Sequence, residues 1–209
     1  RPNNNFNVRR FYVRDSFIME TDTFLKSNRH ASQGNAAFLQ LQAANARFIS
    51  GDNTELDILQ RGAIFTGIAN TCELHFGTNN NIKLISGQGM TGNTGAIRRI
   101  IVGRDSKIIL DEHSAHDNHH FIRLRDELRI EDRAEIAIRR RSTRSAEAIR
   151  LTQANSQFSM GVASKLDVEV RGIAFYGTPT TDIYMNDRSE IDSKASWGFT
   201  GRRTIRSFL

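Results

Sequence analysis

The sequence predicts an all-β chain wound as a parallel β-helix, a β-solenoid of about six coils with an irregular N-terminal cap. Three observations predict it: a short pattern recurs six times, two columns of the aligned copies are apolar without exception, and hairpin signals are missing. The pattern reads hydrophobic, any, hydrophobic, a turn, a small or polar residue, then any, hydrophobic, any, hydrophobic. It occupies Phe48–Ile58, Leu74–Leu84, Ile100–Leu110, Leu128–Ile138, Phe158–Val168 and Ile183–Ser193. The turn positions Gly51, Gly77, Gly103, Glu131, Gly161 and Asn186 lie 26, 26, 28, 30 and 25 residues apart. A period of that length, with two short alternating strands per unit, marks a stacked solenoid. Each coil then buries its apolar positions against the coils above and below it.

The first 35 residues precede the repeat. Arg1–Asn7 is polar and asparagine-rich and reads as a flexible lead. Phe11–Met19 alternates loosely, and Phe24–Gln33 admits a short helix. An open solenoid end exposes unpaired strand groups and the apolar interior, so residues 8–35 are assigned to cap it. The chain starts with Arg rather than Met, which is expected of a processed or trimmed start.

The repeats run over residues 36–199. Three positions before each turn residue come Phe48, Leu74, Ile100, Leu128, Phe158 and Ile183, and five positions after it come Leu56, Ile82, Ile108, Ile136, Leu166 and Ile191. Both columns suit an interior stack. The third position after the turn holds Thr54, Asn80, Ser106, Ala134, Ser164 and Ser189, small side chains that can bond local backbone at a tight corner. A β-sandwich of hairpins would also alternate with period two, but Asn-Gly turns between paired strands are missing. Residues 200–209 either cap the far end or begin a further coil.

Composition agrees with one such domain. The 209 residues include two prolines and 15 glycines, and 38% are hydrophobic. No run approaches the roughly 18 apolar residues of a membrane-spanning helix. Cys72 is the only cysteine, so no intrachain disulfide forms, and its place beside the Leu74 strand predicts a buried small hydrophobe.

The stretches GDNTELDI, GRDSKIIL and GVASKLDV, with the strands FIRL and AIRL, resemble the pectate-lyase-like adhesive domain of Gram-positive bacterial surface proteins. The resemblance covers about residues 36–199. It implies a right-handed parallel β-helix, secreted or held at the cell surface or wall, that serves adhesion or binding of matrix and glycan. The family name reflects an architecture shared with polysaccharide lyases, and architecture alone supplies no activity.

Charge points to a polyanionic partner. Lysine and arginine number 29 against 23 acidic residues, giving a net charge of +6. Only five of the 29 are lysines (positions 26, 83, 107, 165 and 194), leaving 24 arginines. A guanidinium grips carboxylate, sulfate or phosphate in a two-pronged fashion that an ammonium cannot. Position four after the turn reads Lys107, Glu135, Lys165, Glu190, an outward ladder of alternating sign that fixes register.

A second set does not balance. Ala96-Ile97-Arg98, Phe121-Ile122-Arg123 and Ala148-Ile149-Arg150 superimpose as sequence, and would set Arg98, Arg123 and Arg150 in one outward slot. Neighbouring strands lie about 4.8 Å apart, and like charges at that spacing repel by roughly 1 kcal/mol even in water. Two readings stay open. The row meets an acidic polysaccharide or a wall polymer such as teichoic acid, or Glu147, Asp126 and Glu127 neutralise it. Arg139, Arg140, Arg141 and Arg144 read as a separate solvated loop.

His113, His116, His119 and His120, with Asp111, Glu112 and Asp117, fall in one loop. They lack the helical spacing of a zinc enzyme, so no metal or other cofactor is expected. The cluster instead gains charge below about pH 6.5 or is an inert polar loop. Asp105, Asp111 and Asp132 are available for catalysis, yet no column stacks two carboxylates beside a base as glycoside cleavage requires. Aromatic residues are not interleaved with the arginines, which argues against nucleic acid.

The sequence therefore predicts a non-enzymatic extracellular surface or matrix protein. It would serve adhesion or self-assembly, bind acidic polysaccharide through an arginine-rich face, and associate as a homo-oligomer or end-to-end filament. The alternative is a polysaccharide lyase or glycoside hydrolase acting on uronate-containing glycans.

Overall fold

The computed structural model describes residues 11–28, 37–91, 97–113, 120–140, 147–178, 180–200 and 203–207. Every element among them is a β-strand, and every strand pair is parallel. In chain order the first coil carries β1 (Phe11–Val13), β2 (Ser16–Met19) and β3 (Phe24–Asn28). The next two carry β4 (Leu39–Leu41), β5 (Arg47–Ser50) and β6 (Glu55–Gln60), then β7 (Phe65–Gly67), β8 (Cys72–Phe76) and β9 (Asn81–Ser86). A coil with two strands follows, β10 (Ile97–Val102) and β11 (Lys107–Glu112). After it come β12 (His120–Leu124), β13 (Glu127–Ile130) and β14 (Glu135–Arg139), then β15 (Glu147–Leu151), β16 (Gln157–Met160) and β17 (Lys165–Glu169). The stack ends with β18 (Ile173–Tyr176), β19 (Thr181–Met185), β20 (Glu190–Lys194), β21 (Trp197–Thr200) and β22 (Arg203–Ser207).

These strands stack into a β-solenoid of about six turns. One face is an eight-stranded sheet, β2-β5-β8-β10-β13-β16-β19-β22, and another a seven-stranded sheet, β3-β6-β9-β11-β14-β17-β20. The third face is split into β1-β4-β7 and β12-β15-β18-β21. Residues 89–91 fill the gap between its halves. Phe65 donates its N–H to the Met90 carbonyl (2.7 Å), and Met90 donates to the Phe121 carbonyl (2.8 Å). Only glycine fits at position 89: its φ is +77°, and a Cβ there would lie 2.4 Å from the Phe121 carbonyl oxygen. Thr91 completes the rung with its side chain. Its hydroxyl accepts from Arg123 N–H (2.6 Å) and donates to the Arg123 carbonyl (2.9 Å).

The two apolar columns line the interior as expected. Ile82, Ile108 and Ile136 are consecutive partners in register, as are Leu74, Ile100 and Leu128, and all six are at most 1% exposed. Ile191, in the last coil of its face, is the one column member left half-buried. Phenylalanines thicken the core near the first coils, where Phe17 stacks on Phe48 (5.8 Å between centroids) and Phe48 packs on Phe65 (4.8 Å). Cys72 is fully buried with its thiol toward the Ala43 carbonyl, and burial pushes its pKa up.

The corner after each turn residue explains the small-residue column and adds something the pattern did not show. Two positions after the turn residue the backbone is left-handed in every coil. Asp22, Asn53, Asn79, Asp105, Arg133, Ala163 and Arg188 all have φ between 53° and 59°. Asparagine and aspartate tolerate this region best, and here they also bond from coil to coil. Asn53 donates to Asp22 (3.0 Å), and Asn79 donates to Asn53 (2.8 Å). Arg133 grips Asp105 with two nitrogens (2.6 and 2.8 Å). The coils approach so closely that a Cβ on Gly77 would sit 2.5 Å from the Gly51 carbonyl oxygen.

One expectation needs correction. Phe24–Asn28 is a strand rather than part of a helix, because Leu25 and Ser27 continue the inward column of Leu56 and Ile58 in register. Tertiary pairing here overrides local propensity. The N-terminal segment thus contributes one more coil, and Arg203–Ser207 likewise pairs with Thr181–Met185.

Candidate functional site

Arg98, Arg123 and Arg150 do not form one row. Arg123 and Arg150 are partners in register on the third face, with Tyr176 next in the same column. The Arg150 guanidinium lies over the Tyr176 ring (4.7 Å) and 3.6 Å from Glu147. Arg98 belongs to the eight-stranded face. It sits at a register shift between Ile97 and Arg99, where β10 continues β8 and β13 rather than β12. The dipeptide Ile-Arg is the same in all three strands, but Arg98 lies five residues before its turn residue, whereas Arg123 and Arg150 lie eight and eleven before theirs, so Arg98 falls in the next strand of its coil, on another side of the rod. There its Nε donates to Asp126 (3.1 Å). Neutralisation by Asp126 and Glu147 is therefore what the geometry favours for Arg98 and Arg150.

The eight-stranded face brings together a different arginine set. Four positions before the turn residue, Arg47, Glu73, Arg99 and Glu127 follow one another in register with alternating sign. Glu73 is only 6% exposed, yet three guanidiniums converge on it: Arg99 at 3.3 Å, Arg47 at 3.6 Å and Arg98 at 3.7 Å. His75 Nε2 adds a contact at 3.0 Å. Arg99 also reaches Glu127 (3.8 Å), which takes a hydrogen bond from Arg129 Nε (2.9 Å) and an ion pair from its Nη2 (2.6 Å). Arg125 approaches Asp126 (3.9 Å). Five guanidiniums thus share three carboxylates. The neighbouring outward column is apolar around His75, with Ile49 below it and Ile101 above, both half-buried. Burial lowers the His75 pKa, against the raising effect of Glu73.

The seven-stranded face is balanced. Lys107 pairs with Glu135 (3.1 Å) and Lys165 with Glu190 (3.8 Å), as the alternating column requires. One position set further along, Lys26 pairs with Asp57 (3.1 Å), and Arg139 binds Asp167 and lies 3.7 Å from Glu169.

The arginine run is not a solvated loop where it is described. Arg139 closes β14, and Arg140 is 3% exposed, facing Glu112 at 3.6 Å with its guanidinium 5.2 Å from the Phe121 ring centre. Burial lowers the Arg140 pKa. Arg141 and Arg144 lie outside the described residues, as do His116, Asp117 and His119. His113 donates its backbone N–H to Ser86 (3.1 Å). Among the described residues, no group of three His, Cys, Asp or Glu is placed to hold a metal ion, and no helix is long and apolar enough to cross a membrane.

Comparison with protein-family models, with curated proteins and with solved structures gives no match.

Proposed function

We propose that this chain is a non-enzymatic module of the cell surface or extracellular matrix, a stiff solenoid that binds acidic polysaccharide through outward arginines. The observation that carries the reading is the convergence of Arg47, Arg98 and Arg99 on one nearly buried carboxylate, Glu73, within a chain of net charge +6. A surplus of guanidiniums held in fixed register on a rigid sheet is pre-organised for a polyanion, because little side-chain freedom is lost on binding. The sequence resemblance to pectate-lyase-like adhesive domains supports the same class of role. Wall teichoic acid would satisfy the same charge pattern. The carboxylates available for a lyase or hydrolase are already engaged: Asp105 is gripped by Arg133, Asp132 accepts from the Val162 N–H and lies 4.0 Å from Arg104, and Asp111 accepts from the Glu112 N–H.

Self-assembly is part of the proposal. Among the described residues, the sheets end in β2 and β22 on one face and β3 and β20 on another, and an edge strand can continue its ladder with a further parallel strand.

Retention on immobilised polygalacturonate tests the binding reading. The protein should be held at low ionic strength and released by salt, since exposed charge contacts are screened over about 10 Å at 0.1 M. Passage without retention at low salt contradicts it.

A further inference from the structure

We infer that the eight-stranded face carries a saccharide subsite centred over Glu73. In it Arg47 and Arg99 take the carboxylate or sulfate of an acidic sugar, while Ile49, His75 and Ile101 take the apolar face of its ring. This rests on the proposed function and narrows its outward arginines to one subsite that excludes Arg123 and Arg150.

The charge count favours an outside anion. Among the described residues, the carboxylates that Arg47, Arg98, Arg99, Arg125 and Arg129 meet are Glu73, Asp126 and Glu127, leaving two positive charges in excess across one network. The excess gathers at Glu73. Arg129 has a hydrogen bond and an ion pair to Glu127, and Arg98 has a hydrogen bond to Asp126, but Arg47 and Arg99 meet Glu73 only at ion-pair distances of 3.6 and 3.3 Å. The Nε of Arg99 is buried without a hydrogen bond. Glu73 lies beneath the arginines, so it sets their heads in place while half of the Arg47 side chain stays open to solvent. An oxyanion above Glu73 would meet two guanidiniums held on either side of it, each able to donate in fork geometry.

The adjacent column decides which anion. Ile49, His75 and Ile101 stand two residues further along the same strands, about 6.6 Å from the charged column. That offset matches one pyranose with its charged substituent pointing to the arginines and its C–H face on the isoleucines. A bare inorganic ion would use the first column only. An uronate and a sulfated sugar share the required chemistry.

The experiment is calorimetric titration with four probes: an oligogalacturonate, its fully methyl-esterified form, a sulfated oligosaccharide and inorganic sulfate. The variants are Arg47→Gln, Arg47→Gln/Arg99→Gln, Ile49→Ser/Ile101→Ser and Arg123→Gln/Arg150→Gln, each compared at matched Tm. The parent should bind one or both acidic saccharides and not the ester. Arg47→Gln, which alters a half-exposed side chain, should weaken that binding at least threefold, and the double arginine variant at least tenfold. The isoleucine variant should weaken saccharide but leave inorganic sulfate unchanged. Whichever acidic saccharide the parent binds identifies the source of the anion. Parent-like binding by the Arg47→Gln variants, or loss only in Arg123→Gln/Arg150→Gln, overturns the subsite and leaves the proposed function standing. No binding of either acidic saccharide by the parent overturns both.

Discussion

Arg140 faces Glu112 at 3.6 Å inside the solenoid, both side chains at most 4% exposed. Glu112 extends an inward corner column of Gln60 and Ser86, partners in register across three coils. This ion pair sits where β11 ends and β14 has just closed, beneath the Phe121 ring. Removing one member of a buried pair strands the other in low dielectric. Arg140→Met alone is expected to cost roughly 3–5 kcal/mol in chemical denaturation, and Glu112→Leu/Arg140→Met together much less. Equal losses in the single and double variants would mean that the two side chains do not depend on each other.

Register is tested by two adjacent isoleucines. Ile108 is fully buried between Ile82 and Ile136, whereas Ile109 faces outward beside Lys83 and Ala137. Ile108→Asp should destabilise by roughly 3 kcal/mol or more through an unpaired buried charge. Ile109→Asp should stay within about 1 kcal/mol. Similar melting of the two variants would mean that the faces are assigned wrongly.

Thr91 stands in for a missing strand rung. Thr91→Val keeps the shape but leaves the Arg123 N–H and carbonyl without the hydroxyl at 2.6 and 2.9 Å. The expected loss is about 1–3 kcal/mol, together with faster amide exchange at Arg123. An unchanged exchange rate there would show that the hydroxyl does not carry the rung.

Acid should weaken the fold partly through His75. Its pKa is lowered in the folded chain, chiefly by burial among Glu73, Arg47, Arg99, Ile49 and Ile101. The unfolded chain therefore takes up this proton at higher pH than the folded one. The stability tied to neutral His75 is present above about pH 6.5 and is lost as pH falls from there through the lower folded value. The Tm of the parent should drop more steeply across that window than the Tm of His75→Gln. Parallel curves would exclude His75 as a contributor.

The interior was legible because alternation with period two marks which residues turn inward, and six copies at nearly constant spacing set the stack. The third face was harder. Its strands β4 and β7 have three residues each, and one coil replaces the strand with residues 89–91. Arg98 is misplaced by matching the Ile-Arg triplets locally; counted from the turn residue, it stands five positions before, against eight for Arg123 and eleven for Arg150, and so in a different strand. Arg140 was misjudged because a run of arginines reads as solvated unless the polar corner column Gln60–Ser86–Glu112 is noticed first. The Glu73 cluster did have a signal. The slot four before the turn alternates Arg47, Glu73, Arg99, Glu127, just as the slot four after it alternates Lys107, Glu135, Lys165 and Glu190.

Binding without cleavage is the centre of this account, and one measurement addresses it most directly. Oligogalacturonate of a single length is incubated with excess protein, with and without Ca²⁺, and recovered from the complex for mass analysis and ultraviolet absorbance. The account predicts that the oligosaccharide co-elutes with the protein at low salt and is recovered at its original length, with no absorbance from unsaturated ends. Shorter or unsaturated products that accumulate with time would contradict it and make the chain an enzyme.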